Sequence, residues 1–191
     1  MEPHHDLIWD NETAEWYTEE YGDHFSTKLA VELAFFNKTD VVLDIGCGSG
    51  TSCREVAKKV TQGQVIGIDP TSGMIKIARE KNADDTNSSI IKYMDGRAES
   101  IPLDDGSVKV AMAVNSFYHW NDMAKGLSEV LRILKNNGRF YIADEKLEVA
   151  KLYNMLEGDA GVTSMGRTAV DNQTVRTVFV IRPDKRIGLF L

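Results

Sequence analysis

Short apolar runs alternate with amphipathic stretches along the chain from Val41 onward. A short continuous apolar run is typical of a strand buried on both faces, whereas apolar residues spaced three and four apart indicate a helix with one buried face. The chain therefore predicts alternating strands and helices, the pattern of a mostly parallel sheet covered on both faces. The predicted strands are residues 41–45, 65–68, 90–93, 108–114 and 139–143.

Three stretches between these strands have the periodicity of amphipathic helices. The first covers residues 51–60, the second begins near Ser72, and the third covers residues 122–135. The third is expected to stop at Asn136-Asn137-Gly138, because asparagine and glycine readily adopt the left-handed conformation that ends helices. Successive strand–helix units with right-handed crossovers predict a Rossmann-like, doubly wound α/β sheet.

The segment before Val41, residues 1–40, is amphipathic and rich in aromatic residues. They are Trp9, Trp16, Tyr17, Tyr21, Phe25, Phe35 and Phe36. Aromatic side chains usually contribute to packing, so an ordinary helical segment is one interpretation. A lid over a ligand is the other, and the sequence leaves both open.

The length and net charge of the chain restrict the classes of protein to which it can belong. Its 191 residues, of which 42% are hydrophobic, suffice for one domain with a sizeable core, so we expect a single domain over residues 1–191. The formal net charge of -7 argues against nucleic acid as a partner, since nucleic-acid affinity depends on clustered lysine and arginine. No apolar run approaches the roughly 18 residues of a membrane span, and residues 1–10 lack the order of a signal peptide. We therefore expect a cytoplasmic protein that does not bind membranes.

Of the two cysteines, Cys47 lies within a glycine-rich turn and Cys53 lies six residues further along the chain. Their spacing fits neither a CxxC redox pair nor a cluster of zinc ligands, so both are predicted to be small packing residues. The histidines His4, His5 and His24 are scattered, and the sequence predicts no metal site.

The glycine-rich turn follows the first predicted strand. Residues 46–50 read Gly-Cys-Gly-Ser-Gly and lead directly into the first predicted helix. Glycine at alternate positions permits positive φ and lets a ligand approach the backbone closely. We also expect exposed amides at the helix start, which favour an electron-rich group of the ligand.

The residue Asp69 ends the second predicted strand. A carboxylate at this place accepts the hydroxyl protons of a ribose in nucleoside-binding Rossmann-like folds. The alternative is that Asp69 only caps the turn that begins at Pro70. A dinucleotide-binding turn requires glycine where this chain has Thr51, so a nucleotide-dependent oxidoreductase is disfavoured.

Together with Asp44, the turn has the form E/D-x-G-x-G-x-G and resembles the first motif of class I S-adenosylmethionine-dependent methyltransferases. The resemblance continues through residues 68–74, 96–103, 114–120 and 129–138 to about Asp144. It implies a small-molecule methyltransferase with S-adenosyl-L-methionine as its cofactor. Two positions depart from the family pattern: Lys109 replaces the acid that commonly precedes the fourth strand, and Arg97 stands where many relatives have aspartate.

The resemblance also implies a role for each matching position. The methionine end of the cofactor is expected to face Asp44 and the turn residues Gly46, Cys47, Gly48 and Gly50. Asp69 and Pro70 belong to the ribose loop. Met74 covers one adenine face, Ala98 and Glu99 contact the adenine edge, and Asn115 lies beside the cofactor carboxylate or the acceptor.

Methyl transfer from a sulfonium needs mainly the alignment of donor and acceptor in a dry cleft. Where the acceptor loses a proton, a base assists, and His119 after the fourth predicted strand is the candidate. The alternative for His119 is a structural histidine bonded to a loop. Trp120 is expected either to line the acceptor pocket or to pack under the following helix.

The tail after Asp144 departs from the methyltransferase pattern. Residues 142–156 and 175–187 resemble the middle of a one-cysteine peroxiredoxin, but the motif with the peroxidatic cysteine is missing, so peroxidase activity is not expected. The pattern predicts a helix at 147–156, a polar loop, and an antiparallel C-terminal hairpin of strands 174–181 and 186–191. We interpret the tail as a chimera, by fusion, recombination or engineering, that completes the sheet.

Two functional hypotheses follow. The leading one is methyl transfer from S-adenosyl-L-methionine to a small-molecule acceptor. The alternative is a cofactor-binding domain with weak or no catalysis, because the tail replaces the part that covers the substrate in the family it resembles. An edge strand near the C-terminus also invites a homodimer, since unpaired strand edges pair with other chains.

Overall fold

A seven-stranded sheet forms the centre of the computed structural model, which describes residues 8–22, 24–144, 161–170 and 173–181. The strands are β1 (Val41–Ile45), β2 (Gln64–Asp69), β3 (Ile91–Asp95), β4 (Val108–Val114), β5 (Leu134–Asp144), β6 (Gly161–Val170) and β7 (Gln173–Ile181). They lie in the order β3-β2-β1-β4-β5-β7-β6. The first five are parallel to one another, and β7 pairs antiparallel with both β5 and β6.

Helices cover both faces of the sheet, as the alternation in the sequence predicted. The described helices are α1 (Asn11–Tyr21), α2 (Phe25–Leu33), α3 (Thr51–Ala57), α4 (Ser72–Asn82) and α5 (Met123–Ile133). Apolar residues of α2, α3 and α4 form one buried cluster on one face, and those of α5 form a second cluster on the other. Within β1, Leu43 belongs to the cluster with α5 and Val42 to the opposite one, which explains the continuous apolar run. The predicted Rossmann-like, doubly wound fold is confirmed.

The boundary between α5 and β5 differs from the prediction. The helix was expected to extend to residue 135 and to end at the Asn-Asn-Gly sequence, but it ends at Ile133, and Leu134 already pairs with Val108 of β4. The ladder then resumes with Val110 opposite Arg139, so residues 135–138 form an irregularity within β5. The left-handed φ of +55° at Asn137 belongs to this irregularity.

The tail also differs from the prediction. Strand β7 coincides with the predicted strand 174–181 and adds to the sheet beside β5. Its other partner, β6, occupies residues 161–170, which were wrongly predicted to lie in a polar loop. Valine and threonine recur in this stretch and favour an extended backbone, and pairing with β7 satisfies the peptide groups that face that strand. The predicted helix 147–156 and strand 186–191 lie outside the described residues.

The sheet order places the loops after β1 and β4 next to each other. In doubly wound sheets these loops diverge to opposite faces and leave a crevice at the carboxyl ends of the strands. Within the described ranges, no helix is long and apolar enough to cross a membrane.

Candidate functional site

Two adjoining cavities lie at the carboxyl ends of β1 and β4, where the order of the strands reverses. The first has a volume of about 180 Å³ and the second a volume of about 660 Å³. Both are lined by Tyr17, Gly46, Gly48, Asn115, Tyr118 and His119. The glycine-rich turn therefore lies at the junction of two cavities.

Each glycine of the turn has a left-handed backbone, with φ of +74° at Gly46, +51° at Gly48 and +80° at Gly50. A Cβ on Gly46 would lie 2.5 Å from the Cβ of Ser116, and one on Gly50 would collide with the hydroxyl of Tyr93. A Cβ on Gly48 would have no neighbouring atom within 4 Å. Gly46 and Gly50 thus meet a packing requirement of the fold, whereas the open space at Gly48 is accessible to a ligand.

The amides of the turn are paired within the protein. Gly46 and Cys47 both donate to the carbonyl oxygen of Ile68, at 2.8 and 3.0 Å. Gly48 donates to Oδ2 of Asp69 at 3.0 Å. These three amides are not available to a ligand, because the turn folds back on the end of β2. The expectation of exposed amides at the start of α3 stays a prediction. What the turn offers a ligand is close approach to the backbone.

Asp69 ends β2 and lines the first cavity, with only 8% of its surface exposed. Its Oδ1 accepts a hydrogen bond from the amide of Thr71 at 2.9 Å, and its Oδ2 accepts the one from Gly48. Burial raises the pKa of Asp69, while these two hydrogen bonds act in the opposite direction. The side chain of Thr71 also hydrogen-bonds to this carboxylate. An ionised carboxylate has about four acceptor positions, so Asp69 retains room for a hydrogen bond from a ligand.

Asp44 is not among the residues that line either cavity. It is 1% exposed beneath the turn, where its Oδ2 accepts hydrogen bonds from the hydroxyl of Ser52 and the thiol of Cys53. Burial raises the pKa of Asp44 to about 6. Asp44 thus ties β1 to α3 and supports the turn from below. Cys53 is fully buried and Cys47 lines the second cavity, and both are free thiols.

Residues that the sequence predicted for the ribose loop and for the adenine side lie together at the first cavity. Pro70, Met74, Ala98 and Glu99 all line it. The hydroxyl of Thr18 in α1 contacts the Sδ of Met74 at 3.6 Å, which links α1 to α4 beside the cavity. Oε1 of Glu99 accepts a hydrogen bond from the amide of Asp122 at 3.0 Å, which fixes that carboxylate at the cavity edge.

The loop that follows Ala98 and Glu99 is held by Arg132 of α5. The guanidinium donates to both carboxylate oxygens of Glu129 at 2.8 Å and to the carbonyl oxygen of Ile101 at 2.9 Å. Oε2 of Glu129 in turn accepts a hydrogen bond from the amide of Ile101. Such a two-pronged arrangement is among the stronger hydrogen-bonded pairs in proteins, so it fixes the wall of the first cavity.

Asn115 follows β4 and has a left-handed φ of +53°, although it is not glycine. Its amide donates to the carbonyl oxygen of Ala143, and its Nδ2 donates to the hydroxyl oxygen of Ser26, both at 2.8 Å. Asparagine adopts this conformation more readily than most non-glycine residues, and left-handed non-glycine residues cluster at functional sites. Asn115 lines both cavities, and its role beside the cofactor carboxylate or the acceptor stays a prediction.

His119 and Trp120 follow in a short 3-10 turn and its cap. His119 is exposed and lines both cavities, and none of the described residues hydrogen-bonds to its ring. Trp120 is 7% exposed, lines the first cavity, and stacks on Phe140 with ring centroids 6.0 Å apart. Trp120 therefore packs into the fold beside the first cavity, and its place in the acceptor pocket stays a prediction. The role of His119 as a base stays a prediction.

The N-terminal segment contributes residues that sequence reasoning did not assign to the site. Tyr17 of α1 lines both cavities, and Tyr21 and His24 line the second. Trp16 lines neither cavity and is 54% exposed. The aromatic pattern had left a lid as one interpretation, and the position of α1 beside the cavities favours it. Nothing in the sequence pattern distinguished His24.

No group of three or more histidine, cysteine, aspartate or glutamate side chains is arranged to hold a metal ion in the part of the chain that the structure describes.

The sequence is similar to those of known methyltransferases. It is 29% identical over 136 residues to the uncharacterized methyltransferase YcgJ of Bacillus subtilis, and 33% identical over 118 residues to the ubiquinone/menaquinone biosynthesis C-methyltransferase UbiE of Citrifermentans bemidjiense. These alignments cover 70% and 61% of this chain, and 53% and 50% of the two relatives. The chain thus spans about half the length of these relatives.

The fold is shared with a solved methyltransferase structure. The crystal structure of an S-adenosylmethionine-dependent methyltransferase from Aquifex aeolicus matches at a TM-score of 0.74 with 20% identity, and the match covers 91% of this chain and 99% of that one. A family model described as a methyltransferase domain matches residues 43–142, which is more than half of the chain and includes the glycine-rich turn, Asp69 and Asn115. The chain that folds into this sheet and these cavities therefore belongs to the methyltransferase domain family.

Proposed function

We propose that the chain transfers a methyl group from S-adenosyl-L-methionine to a small-molecule acceptor. One observation carries this proposal: Gly48, open and left-handed at the junction of two cavities, lies beside a buried carboxylate on the neighbouring strand, Asp69. Membership of the methyltransferase domain family supports the same reaction.

The residues of the first cavity fit the nucleoside part of that cofactor. The carboxylate of Asp69 retains acceptor capacity for a ribose hydroxyl beside its hydrogen bonds with Gly48 and Thr71. Met74 and Ala98 supply apolar surface for a nucleobase, and the carboxylate of Glu99 lies at its edge. The methionine part would pass Gly48, where a side chain would fill the available space.

The second cavity is assigned to the acceptor, since it begins at the same turn and lies beyond Asn115. When bound, the cofactor supplies a methyl group attached to a positively charged sulfur, and this sulfur is the leaving group, which departs as a neutral thioether. The protein then has to hold the acceptor in line and keep water away, and proximity and orientation account for several kcal/mol of such a barrier. Tyr17 and Tyr118, which line both cavities, serve this enclosure.

Finer expectations from the sequence stay proposals. A single domain over residues 1–191 is supported by the continuous sheet that joins β5 to β7. A homodimer through the C-terminal edge is supported by the outer position of β6 in the described sheet. A cytoplasmic location and a chimeric origin of the tail rest on the sequence alone, and the comparisons lend no support to the peroxiredoxin resemblance.

Calorimetry tests the proposal directly. The protein is expected to bind S-adenosyl-L-methionine and S-adenosylhomocysteine and to give no heat of binding with NAD. Turnover is then followed with a methyl-labelled cofactor over a panel of small acceptors, which should include hydroxylated aromatic compounds because one relative acts in ubiquinone and menaquinone biosynthesis. Binding without turnover would favour the alternative of a cofactor-binding domain, and absence of binding at millimolar concentrations would reject the proposal.

A further inference from the structure

The α1 segment, residues 8–22, is tied at both of its ends to loops that line the two cavities. Just before the helix, the amide of Trp9 donates to Oγ1 of Thr71 at 3.3 Å. Just after it, the carbonyl oxygen of Gly22 accepts a hydrogen bond of 2.6 Å from the hydroxyl of Thr51. Thr71 belongs to the loop after β2, and Thr51 directly follows the glycine-rich turn. The segment therefore spans from one of these loops to the other.

The tie at Thr51 has a defined direction. The guanidinium of Arg54 donates to Oγ1 of Thr51 at 3.1 Å, and a guanidinium has no acceptor. The hydroxyl proton of Thr51 is therefore directed to the carbonyl oxygen of Gly22. Carbonyl groups at the end of a helix have no partner within the helix, so this bond also satisfies the C-cap of α1.

The tie at Thr71 is connected to Asp69. Oγ1 of Thr71 accepts from the amide of Trp9, and the side chain of Thr71 also hydrogen-bonds to the carboxylate of Asp69. An ionised carboxylate only accepts, so the hydroxyl proton of Thr71 goes to Asp69. The residue proposed to bind the ribose is thus joined through one hydroxyl to the start of the α1 segment.

The middle of α1 has little apolar packing. The buried residues of the helix are Ala14 and Thr18. Ala14 lies against α4, where a Cβ on Gly73 would be 3.4 Å from the Cβ of Ala14. Among the described residues, neither apolar cluster on the faces of the sheet contains a residue of α1. Segments with few buried apolar contacts open at a lower free energy than the core, so α1 is able to open while the sheet stays folded.

The same segment covers both cavities. Trp9 and Tyr17 line the first cavity, and Tyr17 and Tyr21 line the second. The three rings form a row, with centroids 4.5 Å apart between Trp9 and Tyr17 and 4.9 Å apart between Tyr17 and Tyr21. A molecule in the first cavity would therefore contact the α1 segment on one side and the loop after β2 on the other.

We propose that the α1 segment is a strap that opens for the cofactor to enter or leave, and that the bound cofactor holds it closed. The inference rests on the proposed function, because it places the cofactor in the first cavity. The cofactor contacts Trp9 and Tyr17 in the closed state alone, so its binding favours closure, and closure slows its release. Thr51 and Thr71 are positioning residues that hold the two ends of the strap.

The first experiment measures whether the strap opens. Calorimetry with S-adenosylhomocysteine comes first, and absence of binding would reject the proposed function and this inference with it. Amide hydrogen exchange is then followed with and without that ligand. In the free protein, the hydrogen-bonded amides of α1 are expected to exchange at least about tenfold faster than those of β1, and the ligand should slow them at least about tenfold. Binding of the ligand without protection of α1, or equally slow exchange of α1 and β1 in the free protein, would overturn the inference.

The second experiment loosens the strap away from the ligand. Ala14 is completely buried against Gly73 and lines neither cavity, so the larger side chain in Ala14→Leu would push α1 away from α4. Bound S-adenosylhomocysteine is expected to dissociate at least about tenfold faster, as measured by surface plasmon resonance on the immobilised protein. Glu15→Leu introduces the same side chain at the next, exposed position of the helix and should retain the wild-type rate.

Thr51→Val removes the tie at the other end and keeps the size of the side chain. It is expected to speed both the exchange of the α1 amides and the release of the ligand by about threefold or more. Thr86→Val, at an exposed threonine that lines neither cavity, is its control. Circular dichroism confirms that each variant folds, and Thr51→Val decides alone should Ala14→Leu fail to fold. Release at the wild-type rate from the folded variants, or faster release without faster exchange of α1, would overturn the inference.

Discussion

The amide of Gly48 donates a hydrogen bond of 3.0 Å to Oδ2 of Asp69 and so joins the turn after β1 to the end of β2. The same carboxylate accepts from Thr71 through its other oxygen. Asp69 therefore holds the turn in place and also presents acceptor positions to the first cavity. Loss of this carboxylate should affect both turn stability and cofactor binding.

Asp69→Ala is expected to weaken the binding of S-adenosylhomocysteine by about 1–3 kcal/mol, because the ribose hydroxyls would lose a charged acceptor. Calorimetry measures the change. Asp95→Asn is the matched control, since Asp95 is the register partner of Asp69 on β3 but does not line either cavity. Unchanged affinity in Asp69→Ala would contradict the ribose assignment.

Gly50→Ala should destabilise the fold. The new Cβ would occupy a left-handed conformation, which costs about 1–2 kcal/mol, and would also collide with Tyr93, which adds about 1–3 kcal/mol. Gly106→Ala is the control, because Gly106 has a φ of +59° but an open environment and should show only the smaller conformational cost. Urea denaturation compares the two, and equal losses of unfolding free energy would argue against the packing explanation.

Gly48→Ala separates ligand binding from folding. Its cost in unfolding free energy should match that of Gly106→Ala, since neither new Cβ has a neighbour within 4 Å. The new methyl group would instead intrude at the junction of the two cavities, and affinity for S-adenosylhomocysteine is expected to fall about tenfold or more. If calorimetry found wild-type affinity, the cofactor would not pass over this turn.

Asp44→Asn should change the pH dependence of stability. Burial raises the pKa of Asp44 from 3.8 to about 6 in the folded protein, against the effect of its hydrogen bonds with Ser52 and Cys53. A raised pKa means that the folded state binds the proton more tightly, so the stabilisation is complete below pH 4 and is lost as pH rises through 6.

The asparagine side chain cannot ionise, so the variant does not lose this stabilisation as the pH rises. Its unfolding free energy relative to the wild type is therefore expected to increase between pH 4 and pH 7, by up to about 3 kcal/mol. Denaturation of both proteins across this range provides the measurement. A difference that does not vary with pH would show that Asp44 has an ordinary pKa in the folded protein.

Arg132→Lys should destabilise the protein by about 1–2 kcal/mol, because lysine cannot reproduce the two-pronged contact with Glu129 together with the bond to the carbonyl of Ile101. Thermal and urea denaturation report the loss. Lys58→Met is the control, since the exposed Lys58–Glu55 pair should contribute less than about 1 kcal/mol. Similar losses in the two variants would indicate that Arg132 acts only as a surface charge.

The local pattern of the sequence was sufficient for the parallel core and for part of the site. Strands β1 and β4 have the predicted bounds because a strand buried on both faces needs an unbroken apolar run. The left-handed glycines of the turn were expected because only glycine adopts that backbone without strain. Asp69 was identified from its place at the end of the next strand.

Other features depended on contacts between residues that are distant in the chain. Asp44 matched a cofactor motif, yet its burial beneath α3 makes it a support of the turn. Gly50 is required because a Cβ at this position would collide with Tyr93 of β3. Residues 161–170 form β6 because β7 pairs with them. Periodicity reports the conformation of a local segment and contains no information on such partners.

The sequence alone was thus enough to predict the order of strands and helices along the chain, the glycine-rich turn after β1 and the acidic residue at the end of β2. Each of these follows from the local preferences of consecutive residues. Only the tertiary structure decided that Ser26 lies between His24 and Asn115 at the second cavity. The reason is physical: a hydrogen bond between the first turn of α2 and the end of β4 exists only once the sheet has brought these two segments together.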